Sequence, residues 1–381
     1  MAARRKICYV TTTDLIIQFF LLEHIRRASA LYDVTVIVNT SDPELLARAG
    51  IDARLVPFLI EREISVWSDL KAFLLLYKLF RREKFDMVHS IAPKAGLLGI
   101  LAGWLARVPV RIHTFQGEVW VTRTGIMRWF LKILDKLIAG KATSLLIVSN
   151  TERRFLIEQR VVSEKKTRVL ANGSISGVNM DRFRPDAKQR KAIRTVFGVS
   201  DTAVLFLFLG RLKRDKGVLD LARAFAEICA EFGNAHLALV GPDEDGMHSA
   251  IEGLCKNCLS RVHFEGYTMN PEHYLMAADV LCLPSYREGF GMTIIEAAAC
   301  EVPAVASRIY GIVDALEEGV TGLLHEPGDI SGIARLLRRL ASDTKEREML
   351  GIAARARVKR YFLEDDVMRA TQEYYAEVLH S

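Results

Sequence analysis

Two series of alternating strand and helix patterns, separated by one irregular pause, decide what this chain can fold into. In the first, "KICYVTT" (6–12), "DVTVIVN" (33–39), "FDMVHSI" (85–91), "VRIHTF" (110–115) and "SLLIVSN" (144–150) are short, apolar and rich in β-branched residues. Helical patterns such as "SDLKAFLLLYKLFRREK" (68–84) lie between most of them. A strand that is apolar along its whole length is buried on both faces. Such strands joined through helices form a parallel sheet covered on both sides. The pause, "ANGSISGVNMDRFRPD" (171–186), reads as a linker. A second series follows: "AVLFLFLGR" (203–211), "AHLALVG" (235–241), "RVHFEG" (261–266), "DVLCLPS" (279–285) and "PAVAS" (303–307). The reading is α/β, with two doubly wound domains over 1–175 and 176–360 facing across a cleft. A long helical run from about Ser342 to Leu379 ends the chain, and 361–381 is expected to pack back on the first domain. In open α/β sheets ligands sit at the carboxyl ends of the strands.

The 381 residues, half of them hydrophobic, suffice for two cores. The apolar run Ile7–Val10 is too short for a signal peptide, and "LLGILAGWLA" (97–106) is too short to span a bilayer. These features suggest a cytoplasmic protein. Cys255 and Cys258 form a lone Cys-x-x-Cys without the further ligands a zinc site needs. Charge is uneven: residues 1–185 carry a net +12 and the remainder −6. A positive half suits an anionic surface or substrate; no nucleic-acid partner is expected.

The stretch "SYREGFGMTIIEA" (285–297) joins a strand to a helix. Gly289 and Gly291 allow unusual backbone angles and close approach. Free amides at the helix start, aided by its dipole, form a phosphate site. Glu296, about one turn into the helix, can accept two hydroxyls such as a ribose offers, and Glu288 can accept hydroxyls of another sugar. Acid, phosphate site and acid together suit a nucleotide-sugar. The plainer alternative makes Glu288 a turn residue and Glu296 a helix-dipole partner. A second strand-turn-helix, "FLGRLKRDKG" (208–217), places Arg211 and Lys216 where they could reach a diphosphate. His113 ends the strand "VRIHTF" and is either a cleft residue or a structural cap. His89, at a similar strand end, reads as structural, while Lys94 could meet an acceptor phosphate.

"GRLKRDKG" together with "EGFGMTIIEA", the hinge "NGSISGVNMDRF" and the "HTFQG" turn resembles the family 4 retaining glycosyltransferases of the GT-B fold. The resemblance implies that the second domain binds a nucleotide-sugar donor, with UDP favoured, and the first an acceptor. It implies that Arg211 and Lys216 hold the diphosphate beside Gly210, and that Glu296 takes the ribose. Glu288 and the Gly289, Phe290 and Gly291 amides would take the sugar, and the Met292 and Thr293 amides the phosphate. His113, Arg211, Lys216 and Glu288 would serve catalysis. Where many members carry a glycine pair after the first strand, this chain has Thr11-Thr12-Thr13-Asp14, which leaves Thr13 open to an acceptor role.

No paired Asp-x-Asp motif is present, so neither cofactor nor metal is expected; Arg211, Lys216 and helix amides would neutralise the leaving group. The retaining chemistry implied by the family is read as front-face displacement. Residues 119–141 read as an amphipathic basic helix, with Arg123, Arg128, Lys132 and Lys136 directed to anionic lipid. The expected protein is thus a hexosyl- or N-acetylhexosaminyltransferase on the inner face of the membrane, using a lipid-diphosphate-linked acceptor in surface-glycan synthesis. The alternatives are a UDP-sugar 2-epimerase of the same architecture, or a sugar-nucleotide-binding regulator without turnover. No Gly-x-Gly-x-x-Gly follows either first strand, which argues against an oxidoreductase.

Overall fold

The computed structural model describes residues 4–60 and 65–380. Residues 1–3 and 381, at the ends of the expected domain ranges, lie outside them. The chain divides into two compact units, Met1–Ser176 with Glu364–Ser381, and Gly177–Leu363.

The first unit holds seven strands: β1 (Lys6–Val10), β2 (Asp33–Val38), β3 (Arg54–Pro57), β4 (Met87–Ile91), β5 (Val110–Phe115), β6 (Ser144–Ile147) and β7 (Thr167–Arg168). They pair in the order β3-β2-β1-β4-β5-β6-β7, and every pairing is parallel. Successive side chains of β1 alternate between two cores. Ile7 and Tyr9 join a cluster with helix Leu22–Leu31 and with Tyr374, Tyr375 and Leu379 of the C-terminal helix. Cys8 and Val10 join one with helices Val66–Glu83 and Pro93–Leu105. Both faces of the sheet are therefore covered, as all-parallel sheets require.

The second unit holds β8 (Val204–Leu209), β9 (Ala235–Val240), β10 (Val262–Glu265), β11 (Val280–Leu283), β12 (Ala304–Ser307) and β13 (Gly322–His325). The order is β10-β9-β8-β11-β12-β13, again parallel throughout. Connections leave β8 and β11 in opposite directions, so the switch point lies between them. A crevice at the carboxyl ends of these two strands is the expected ligand position. The matching switch point of the first sheet lies between β1 and β4.

The C-terminal helical run is two helices, Thr344–Tyr361 and Glu364–His380. The break arises because Phe362 turns into the second unit, where it is buried, and its carbonyl accepts the Val178 N–H at 2.8 Å.

Candidate functional site

Both loops at the second unit's switch point are shaped by glycines. Gly210 ends β8 with φ +153°, and a Cβ on Gly241 would lie 2.0 Å from the Gly210 carbonyl oxygen. Arg211 follows, its guanidinium 3.2 Å from Glu244. A 3₁₀ turn, Arg214–Lys216, leads to Gly217 at φ +69°, where a Cβ would sit 2.1 Å from the Pro284 carbonyl oxygen. The loop after β8 thus presses on the loop after β11. The Tyr286 N–H donates to the Asp215 carbonyl at 2.9 Å, Arg287 pairs with Asp215 at 3.1 Å, and Lys216 Nζ reaches Glu288 Oε1 at 2.5 Å. Gly217→Ala is expected to destabilise this unit by about 2 kcal/mol or more, read as a lower unfolding midpoint in denaturant. An unchanged midpoint would mean that the two loops are not held in contact.

Glu288 also accepts a hydrogen bond from the buried Ser285 hydroxyl at 2.9 Å. Next, Gly289 approaches Gly311 so closely that a Cβ on the latter would stand 2.3 Å from the Gly289 carbonyl oxygen. Phe290 turns its side chain inward, edge-on to Phe362 with ring centroids 5.4 Å apart, so only its backbone is available to the loop. Gly291, at φ +78°, opens helix Met292–Ala299, and no side chain caps this end. The first-turn amides of Met292 and Thr293 are thus left to a ligand or solvent. The positive end of the helix dipole lies beside a primary ammonium group, which makes the place electropositive.

Glu296 sits on the same helix, half-buried, and its carboxylate takes no hydrogen bond or ion pair from the described residues. Burial pushes its pKa up to about 7; the nearby Arg182 opposes the rise and Glu272 adds to it. Those two neighbours pair with each other at 2.8 Å. An enclosed carboxylate without donors is suited to a ligand that brings its own, such as a vicinal diol.

In the first unit, Thr13 precedes the short helix Asp14–Ile16, and its hydroxyl caps nothing. A five-residue π-helix, Ile17–Leu21, follows. Lys94 pairs with Asp69 at 2.6 Å. His89 is engaged at both ring nitrogens, by Tyr375 at 2.5 Å and Thr114 at 2.7 Å. His113 lies within β5 rather than beyond its end and is 1% exposed. Its Nδ1 is 2.9 Å from Ser90 Oγ, and a Cβ on Gly96 would meet its ring at 2.4 Å. Burial lowers its pKa to about 3, so the imidazole is neutral. The sequence reading missed Glu152, fully buried, which accepts the Gly117 N–H of the "HTFQG" turn at 2.5 Å. Burial, then the charge of Glu118, raises its pKa well above the usual carboxylate range. Nothing in the local sequence marks it, because Glu152 also occupies an ordinary first-turn helix position.

Residues 119–141 are not one helix. A 3₁₀ turn, Val119–Thr122, precedes helix Gly125–Lys141, and Arg123 falls in the break. Arg128 and Lys132 lie over the buried Trp120 ring, 5.5 and 5.2 Å from its centroid, and Lys132 also donates to Gln159 at 2.8 Å. Lys136 is exposed. The solvent-facing stripe is instead apolar: Ile126, Trp129, Phe130, Ile133 and Leu137. No helix among the described residues is long and apolar enough to cross a membrane. No group of three or more His, Cys, Asp or Glu side chains among the described residues is placed to hold a metal ion.

Comparison with known proteins completes the picture. Residues 189–357 match the glycosyl transferases group 1 family, and residues 21–173 a glycosyl transferase 4-like domain. The chain is 29% identical to the capsular polysaccharide biosynthesis glycosyltransferase CapM of Staphylococcus aureus, over 89% of this chain and 88% of that one. It is 33% identical to a D-inositol 3-phosphate glycosyltransferase of Streptomyces scabiei, over 78% of this chain and 69% of the relative. It is 28% identical to the Escherichia coli UDP-Gal:alpha-D-GlcNAc-diphosphoundecaprenol alpha-1,3-galactosyltransferase, over 82% and 81%. Among solved structures, Anabaena HepE in complex with UDP and glucose superposes with a TM-score of 0.81 at 18% identity, covering 98% of this chain and all of that one. The two matched regions, the extended likeness to glycosyltransferases and the shared architecture agree: the chain belongs to the group 1 glycosyltransferases of the GT-B fold.

Proposed function

We propose that this glycosyltransferase moves a sugar, with retention, from a UDP-sugar to a lipid-diphosphate-linked acceptor in surface-glycan synthesis, working at the inner face of a membrane. One observation carries the donor reading. Around the uncapped start of helix Met292–Ala299 stand Lys216 and Glu288 in contact, and on the helix itself stands Glu296, enclosed and without a donor. The amides and Lys216 suit the diphosphate, Arg211 adds a second cation, Glu288 with the Gly289–Gly291 backbone suits the sugar, and Glu296 suits the ribose. Likeness to a galactosyltransferase named for UDP-Gal and a diphosphoundecaprenol acceptor, and to CapM, supports the choice of donor and acceptor. Thr13 and Lys94, beside the first sheet's switch point, are the acceptor-side candidates.

In the proposed reaction the bond from the anomeric carbon to the β-phosphate oxygen breaks, and a bond to the acceptor oxygen forms on the same face. The acceptor proton passes to the departing phosphate. Arg211, Lys216 and the helix amides stabilise the charge developing on that phosphate, and preorganised donors are most effective in such a role. The neutral His113 presents no proton of its own near neutral pH; its part would be a hydrogen bond through Nε2. Because the chain supplies these positive groups itself, turnover is expected to persist in EDTA. Incubating the protein with single nucleotide-sugars and a lipid-linked acceptor, followed by mass spectrometry, tests the whole reading. The expected result is an acceptor heavier by one sugar residue, with nucleoside diphosphate released in step, in chelator as without it. Donor isomerised without acceptor, nucleotide bound without turnover, or activity abolished by EDTA and restored by Mg²⁺ would each contradict it.

A further inference from the structure

The chain has four tryptophans. Trp120 is fully buried, but Trp67, Trp104 and Trp129 are 83%, 43% and 65% exposed. These three sit on helices Val66–Glu83, Pro93–Leu105 and Gly125–Lys141. The three helices connect β3 to β4, β4 to β5 and β5 to β6, all crossings in one direction along the sheet. Right-handed crossovers place such helices on the same face, and the middle helix packs against both of the others.

A helix that covers a sheet ordinarily turns one apolar stripe inward and a polar one to water. Here the outer stripes are apolar as well. Helix Gly125–Lys141 buries Ile138 and Ala139 inward and exposes Ile126, Trp129, Phe130, Ile133 and Leu137, a helical spacing of three, one, three and four. Helix Val66–Glu83 exposes Val66, Trp67, Leu70 and Leu74 in the same manner. Scattered exposed apolar residues need no explanation, but a second stripe at helical period on neighbouring helices does. Cations border the surface: Lys71 and Lys78 are exposed on the first helix, Lys136 on the third, and Lys141 Nζ lies 3.8 Å from the Trp104 ring centroid. Tryptophan and aliphatic residues edged by lysine match the water–hydrocarbon boundary of an anionic bilayer. A second copy of this chain would bring like cations together.

We propose that this three-helix face is the surface by which the first unit lies on an anionic bilayer, its outer apolar stripes entering the acyl boundary and its lysines meeting the headgroups. The inference deepens the membrane placement proposed above and is independent of which sugar is transferred. It also shifts the contact from the row Arg128, Lys132 and Lys136 to the apolar stripes, so that attachment resists salt instead of depending on charge alone.

The test mixes the full chain with vesicles of equal parts phosphatidylcholine and phosphatidylglycerol, with plain or brominated acyl chains. Tryptophan emission should shift to the blue and be quenched by the brominated chains. A variant with Trp67, Trp104 and Trp129 all changed to Ser, which keeps Trp120 alone, should show neither effect. Ile126→Ser/Phe130→Ser/Ile133→Ser should lower vesicle partition about tenfold or more at low and high salt. UDP affinity, followed in parallel, should be unaltered in both variants, which separates loss of the surface from loss of the fold or of the donor reading. Absence of quenching would overturn the proposal. So would wild-type partition in the stripe variant, or complete release of the wild type by salt. A blue shift that grows with protein concentration without vesicles, accompanied by a doubled mass, would give the surface to a second copy and overturn it equally.

Discussion

Replacing Lys216 by methionine is expected to lower kcat by about two to three orders of magnitude, while KM for the donor changes only a few-fold. The reason is one of timing. In the ground state Lys216 already has a counter-charge, Glu288 at 2.5 Å, so its attraction for a bound diphosphate is partly spent. As the sugar–phosphate bond breaks, negative charge grows on the leaving oxygen, and the ammonium is worth most at that moment. The two side chains are 14% and 17% exposed. Removing one of a largely buried pair leaves the other unpaired, which itself destabilises. The double variant Lys216→Met/Glu288→Gln controls for this: the thermal midpoint lost in the single variant should be recovered, and kcat should not. A donor KM raised as much as kcat falls would instead make Lys216 a simple binding group.

Glu296 provides the second large effect, and its sign with pH is specific. Burial raises its folded pKa to about 7, so the ligand-free protein holds a proton there that the unfolded chain releases near pH 4.5. This group's contribution therefore favours folding below that pH and is lost as pH rises to about 7. The loss is roughly 2–3 kcal/mol, discounting the part of the carboxyl that water reaches. Glu296→Gln should accordingly stabilise the ligand-free protein at pH 8. A ribose diol acts in the other direction, because two donated hydrogen bonds favour the ionised form. UDP affinity should rise with pH up to about 7 and level off above it. In Glu296→Gln it should be independent of pH over that range and weaker by about 1.5–3 kcal/mol at pH 8. Calorimetric titrations at pH 6 and 8 would show both trends; equal affinity in wild type and variant at pH 8 would remove Glu296 from the ribose.

The two parallel sheets were legible because their inner strands are unmistakable: Val204–Leu209 is six apolar residues in a row. Three strands escaped notice. Arg54–Pro57 and Gly322–His325 have four residues each and Thr167–Arg168 two, too short for a period to register. The segment Glu288–Gly291 could be placed between a strand and a helix from the sequence. Its contact with Lys216, 72 residues away, could not, since it depends on β8 and β11 being neighbours in the sheet. The inward turn of Phe290 was equally hidden, because its partner Phe362 comes from a helix break that no residue in the C-terminal run announces. In the first unit, the steps from Arg128 to Lys132 to Lys136 located a helix correctly. They hid that the first two lie along Trp120, and the apolar stripe beside them drew less attention than the charges.

The account's central claim is that a nucleoside diphosphate binds at the carboxyl ends of β8 and β11, on the uncapped helix start, through groups supplied by the chain. Hydrogen–deuterium exchange with and without UDP, in EDTA, tests it most directly. The predicted result is slowed exchange in peptides spanning residues 210–217 and 289–296, with the Met292 and Thr293 amides among the protected positions. Protection confined to the first unit, or none until a divalent cation is added, would contradict it.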